Sequence, residues 1–110
     1  MTRQIDPNKA VDHIITNAKK FAQAKADRVY LEEYRKTKKA LLMKDSKETS
    51  AVAKEMDAYA HPEYLGVLEG LRAAIEVEET LKWELVAAQA RIEIFRTMEA
   101  TARAEGRATQ

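Results

Sequence analysis

Cysteine is absent from this sequence, and proline and glycine are scarce, with two and three copies. The missing cysteine excludes a disulfide framework and any thiolate metal site. So few helix breakers leave little room for the turns an all-β or α/β chain needs. Aromatic residues make up only 6%, so a large aromatic core is excluded too. No stretch approaches the ~18 consecutive apolar residues of a membrane span. The opening Met-Thr-Arg-Gln-Ile-Asp-Pro has no apolar run of the kind a secretory signal carries. A cytoplasmic protein is the expectation, in the host cytoplasm if a phage encodes it.

Catalytic constellations are also missing. The two histidines, His13 and His61, are far apart and form no His-x-x-x-His or His-Glu-x-x-His pattern. There is no phosphate-cradling glycine loop and no nucleophile elbow. The carboxylates Glu76, Glu78 and Glu79 read as a solvated acidic face. No enzyme, no metal and no cofactor is expected. Gly66 and Gly70, four apart, are expected to permit one tight helix contact.

What the chain does have is the composition of long helices, rich in Ala, Glu, Lys, Leu and Arg. Charged residues reach 34% yet the net charge is only +1. That balance hides a segregation. Residues 19–44 carry nine cations against three carboxylates, whereas residues 55–84 carry two against eight. A basic segment is therefore followed by an acidic one.

Asp6-Pro7 is a good helix start, since Asp caps free amides and Pro suits the first helical position. Nothing interrupts a helix from there to Lys44. Its apolar positions run Val11, Ile15, Ala18, Ala22, Ala26 and Val29, with Ile14 and Phe21 beside them. These spacings suit a nearly straight helix better than a strict heptad. Residues 45–61 are expected to hold a turn, capped by Ser46 or Ser50, and a short helix ended by His61-Pro62. A second long helix is predicted over 62–104, with a frayed polar tail at 105–110.

In that second helix a seven-residue repeat can be followed. One line is Val67, Ala74, Leu81, Ala88, Phe95 and Ala102; the other is Leu71, Glu78, Leu85, Ile92 and Glu99. This is a coiled-coil-grade seam. A second stripe, Trp83, Val86, Ala90, Ile94 and Thr97, lies to one side. Two stripes serve either a three-helix core or a hairpin plus other subunits. The fold expected is all-α: an antiparallel, coiled-coil-like hairpin of two long helices with a short connecting helix. Two long helices bury little surface alone, so a homo-oligomer is expected, built on Leu81, Trp83, Leu85, Val86, Ile92, Ile94 and Phe95.

The functional signal lies between Arg28 and Lys44. Arg35, Lys36, Lys38, Lys39 and Lys44 crowd one stretch, with Lys47 peripheral, and Tyr30 and Tyr34 precede them four residues apart. Cations bind phosphates with release of counterions, and aromatic rings stack on unpaired bases. Together they suit single-stranded nucleic acid better than duplex reading, and no helix-turn-helix or zinc-finger pattern is present. The basic stretch could equally pair with the acidic 55–84 segment of the same or another subunit. The competing reading is a non-catalytic helical scaffold that binds a protein partner and no nucleic acid.

The chain also resembles the UvsY-type recombination mediators of tailed phages. Three features correspond in order. A long helix ends in Tyr34-Arg-Lys-Thr-Lys-Lys-Ala-Leu-Leu-Met-Lys44. A polar break and short connector follow over Lys44–Ala60. A C-terminal helix then carries Glu76-Val-Glu-Glu-Thr-Leu-Lys-Trp83 and Ala90-Arg-Ile-Glu-Ile-Phe-Arg-Thr-Met98. The pattern covers about residues 10–100, though this sequence is richer in Ala and its basic stretch has extra Tyr. The resemblance implies binding to single-stranded DNA through the basic stretch and a ring-like oligomer. It further implies contacts to a strand-exchange recombinase and a single-strand-binding protein, and no nucleotide hydrolysis.

Overall fold

A computed structural model describes residues 4–108, which form helices α1 (Pro7–Asp45), α2 (Ala51–Ala60) and α3 (Pro62–Ala108). No strand occurs among the described residues. The long helices have 39 and 47 residues, so the all-α hairpin expected from the sequence is what forms. Helix α3 runs four residues past the expected end, through Ala104 to Ala108; residues 109–110 lie outside the described residues.

Local chemistry accounts for the boundaries. The Asp6 carboxylate accepts from the backbone N–H groups of Asn8 (2.9 Å) and Lys9 (3.3 Å), capping α1. Ser50, in extended conformation, accepts from the Ala53 amide at 3.1 Å and starts α2. His61 precedes Pro62 and is extended, with φ −70° and ψ 136°, which ends α2. Its Nδ1 then accepts from the Glu63 amide at 3.0 Å at the start of α3.

The chain divides into two packed units: Met1–Phe21 with Thr80–Gln110, and Ala22–Glu79. The first brings the start of α1 beside the later part of α3. The second packs the rest of α1 against α2 and the start of α3. Its core cluster is Leu42, Ala58 and Tyr64, with Met43 and Leu68 packed against it. In both units α1 and α3 run antiparallel: His13 lies near Glu84 in the first, and Arg28 and Lys38 meet Glu78 and Glu63 in the second.

Burial marks which faces turn inward. On α3 the buried and half-buried positions include Tyr64, Val67, Leu71, Ala74, Glu78, Leu81, Leu85, Ala88, Ile92 and Phe95. That is the seam read from the sequence, extended back to Tyr64 and stopping before Glu99 and Ala102, which are exposed. Helix α1 differs from expectation. Val11 is 42% exposed and Ile15 70%, and Ala18, Ala22, Ala26 and Val29 also face solvent. The inward line is Ala10, Ile14, Asn17, Phe21, Ala24, Arg28, Leu31, Arg35, Lys38 and Leu42. Its spacing alternates between four and three throughout, a strict heptad. The apolar count missed this line because four of its ten members are Asn, Arg or Lys.

One polar position of each inner line forms a fork. The Arg28 guanidinium donates through Nε and Nη2 to both oxygens of Glu78, the latter at 3.1 Å, and through Nη1 to Glu32 at 3.0 Å. Glu78 is the one buried charged residue among the described residues. The hydrogen bond to Glu78, seconded by Glu32, raises the Arg28 pKa above the arginine range.

Gly66 and Gly70 do not serve the close contact expected of them. A Cβ at either position would meet nothing within 4 Å. Both stand mid-helix, where Gly costs about 0.8–1.0 kcal/mol relative to Ala. Replacing Gly66 or Gly70 by Ala should therefore raise stability by about 1 kcal/mol each in urea unfolding. A loss of stability would show that a close neighbour does pack there.

Candidate interaction surfaces

The basic stretch of α1 is folded against carboxylates of its own chain. Lys38 Nζ lies 2.8 Å from Glu63 of α3, and Lys39 Nζ lies 3.3 Å from Glu55 of α2. Lys36 meets Glu33 at 3.4 Å on the surface of α1. Within Ala22–Glu79 ten cations stand against twelve carboxylates, a net charge of −2. The excess of cations seen along the sequence is therefore cancelled in the folded unit.

These pairs move the protonation equilibria. The hydrogen bond to Glu63 pushes Lys38 above the ordinary lysine range, and the same bond holds Glu63 below the ordinary carboxylate range. Lys39 is pushed up by Tyr59 first and Glu55 second. Its ammonium sits 4.5 Å from the Tyr59 ring centroid, a cation–π contact.

Arg35 and Lys44 have no ion-pair partner among the described residues. Arg35, Lys36 and Lys39 line an open cleft of about 480 Å³ with Ala40, Met43, Tyr59 and Tyr64. Tyr59 and Tyr64 meet edge to face, with centroids 5.3 Å apart and planes at 76°. Tyr64 is buried, while Tyr59 shows much of its ring to solvent.

The structure thus brings together part of what the sequence singled out. Arg35, Lys36 and Lys39 share the cleft; Lys38 is drawn to Glu63 and Lys44 stands exposed in the last turn of α1. Tyr30 and Tyr34 stack on each other at 6.0 Å with planes 8° apart. At 100° per residue they stand roughly 120–160° round α1 from Lys36. The aromatic rings beside the cleft's cations are Tyr59 and Tyr64 instead, while Tyr34 neighbours Lys38. Sequence reading missed them because α2 carries Tyr59 and α3 carries Tyr64, and only the fold returns those rings to α1.

The seven positions read as an oligomer interface divide into two sets. Leu81, Leu85, Ile92 and Phe95 are half-buried within the chain. Trp83, Val86 and Ile94 are exposed, Trp83 by 61%, with Lys82 above its ring. The outward set lies about 170° round α3 from the seam.

Other chemistry is sparse. His13 and His61 belong to different units. Among the described residues, no three His, Cys, Asp or Glu side chains cluster to hold a metal ion, and no helix is long and apolar enough to cross a membrane. Compared with protein-family models, with curated proteins and with solved structures, the chain gives no match.

The Lys38–Glu63 pair yields a pH prediction with a definite sign. Glu63, depressed in the fold, contributes stability above the ordinary carboxylate range and loses it as pH falls through its lowered value. Lys38, raised in the fold, contributes below the ordinary amine range and loses it as pH rises through its raised value. Thermal unfolding should show a plateau between about pH 5 and 10. Glu63→Gln should make the acid limb shallower as pH falls below the ordinary carboxylate range. Superimposable profiles for the two proteins would rule out this pair as a contributor.

Proposed function

We propose that this chain is a non-catalytic accessory protein that binds single-stranded DNA through the cleft of Arg35, Lys36, Lys39, Tyr59 and Tyr64. The observation that carries the reading is the joining of three cations and two aromatic rings in one open cleft. Phosphates take charge-assisted hydrogen bonds from guanidinium and ammonium groups, and Tyr59 offers a ring to an unstacked base. The resemblance to UvsY-type mediators supports the same reading. By that resemblance the protein helps load a recombinase onto single-stranded DNA, in contact with a single-strand-binding protein.

Internal pairing sets the strength. Lys38 and Lys39 are engaged across helices by Glu63 and Glu55, while Lys36 makes only an exposed contact with Glu33, so Arg35, Lys36 and Lys44 are the main phosphate partners. Three phosphates on a single strand correspond to a slope of about −2 in log affinity against log salt. Binding is then weak and indifferent to base sequence.

A second reading is a helical scaffold that binds protein and no nucleic acid. The exposed Trp83, Val86 and Ile94 and the −2 charge of Ala22–Glu79 favour it.

Fluorescence anisotropy with a labelled oligothymidylate separates the two. Raising salt from about 50 to 200 mM should weaken binding by about 16-fold, as a slope of about −2 requires. Arg35→Glu with Lys36→Glu should abolish binding. No binding at the lower salt, or binding unchanged by the double substitution, would leave the scaffold reading.

A further inference from the structure

The first unit, Met1–Phe21 with Thr80–Gln110, has very little core. Its fully buried apolar side chains among the described residues are Ala10 and Ala88. Two alanines contribute little hydrophobic stabilisation, since the effect follows the apolar area removed from water. Yet α3 in this unit carries a second apolar line, Trp83, Val86, Ala90 and Ile94, on the side away from its seam. A helix apolar on two opposite faces packs on two neighbours. The chain supplies one of them.

We infer that the second neighbour is α3 of another copy of this chain, packed antiparallel across a two-fold axis on the Trp83–Val86–Ala90–Ile94 face. The line is self-complementary in that direction. With the axis between Ala88 and Gln89, Trp83 of one copy lies over Ile94 of the other, and Val86 lies within one residue of Ala90. Each large side chain at an end meets another, and each Val neighbours the small Ala90, so the helices can approach closely at the centre. The charges agree with this register. Lys82 and Glu93 lie on the same flank of the line, and the antiparallel pair sets Lys82 of each copy near Glu93 of the other. Lys82 now lies over the Trp83 ring, and Glu93 pairs with Arg96 at 3.0 Å on an exposed surface. Both are free to exchange such weak local contacts for intersubunit ones. The contact is isologous and closes as a dimer. The inference does not rest on DNA binding, because none of these residues lines the cationic cleft.

Two measurements on the full chain test it. Sedimentation equilibrium should show a monomer–dimer equilibrium at micromolar concentration. Trp83→Asp should weaken it at least tenfold while circular dichroism retains the helix content. Lys82→Glu alone should weaken it similarly, and adding Glu93→Lys to the same chain should restore it. The natural absence of cysteine makes cross-linking clean. Under mild oxidation, a mixture of Val86→Cys and Ala90→Cys chains should yield the mixed disulfide dimer, and neither variant alone should cross-link efficiently. A strict monomer at about 100 µM would overturn the proposal. Preferential dimers of Val86→Cys alone, which report a parallel pair, would overturn it too.

Discussion

The fork of Arg28 on Glu78 is the constraint around which the second unit is arranged. At facing positions of two helices the buried Glu78 carboxylate accepts two hydrogen bonds from the half-buried Arg28 guanidinium, which keeps a third to Glu32. Burial of an ion pair adds little net stability, but separating the partners is costly, because a carboxylate held out of water loses its opposite charge. That asymmetry fixes register. A one-turn slip would set Arg28 against Ala74 and Glu78 against Ala24, and both hydrogen bonds of the fork would be lost. The flanking positions of the same α1 line, Arg35 and Lys38, have less demanding surroundings, since Lys38 meets an exposed Glu63 and Arg35 opens into a cleft.

The same arrangement decides what the basic stretch can do. Two of its cations, Lys38 and Lys39, are answered by carboxylates from α3 and α2, so the stretch works first as an internal adhesive. A nucleic acid approaching this unit meets a net charge of −2 overall and one local concentration of cations with tyrosines. Binding to such a surface depends on geometry in the cleft more than on long-range attraction. The cost of this design is a thin core: among the described residues the buried apolar ones are four alanines, Leu42 and Tyr64. Apolar side chains on the outer faces of both long helices remain in water, which leaves surface for association.

Much of the fold was legible because helix signals are local. Asp6-Pro7, Ser50 and His61-Pro62 mark boundaries through the conformations of single residues, and the structure uses each of them. The α3 seam was legible because its members are apolar apart from Glu78. The α1 seam was not, since Asn17, Arg28, Arg35 and Lys38 disguise it and the neighbouring Val11–Val29 line is more apolar. The charge segregation was visible, but its consequence needed the pairing of helices: along the chain Lys38 and Glu63 are 25 positions apart, and in space they are 2.8 Å apart. The cleft was half legible. Its cations sit together in sequence, whereas Tyr59 and Tyr64 reach it from other helices.

The central claim is that charged residues on the inner lines of α1 and α3, led by Arg28 and Glu78, set how the two helices meet. A double-mutant cycle on thermal unfolding tests it most directly. Arg28→Glu and Glu78→Arg should each lower Tm substantially, because each sets like charges face to face. The two together, in one chain, should recover most of the loss. Additive losses, with no recovery in the double variant, would contradict the claim.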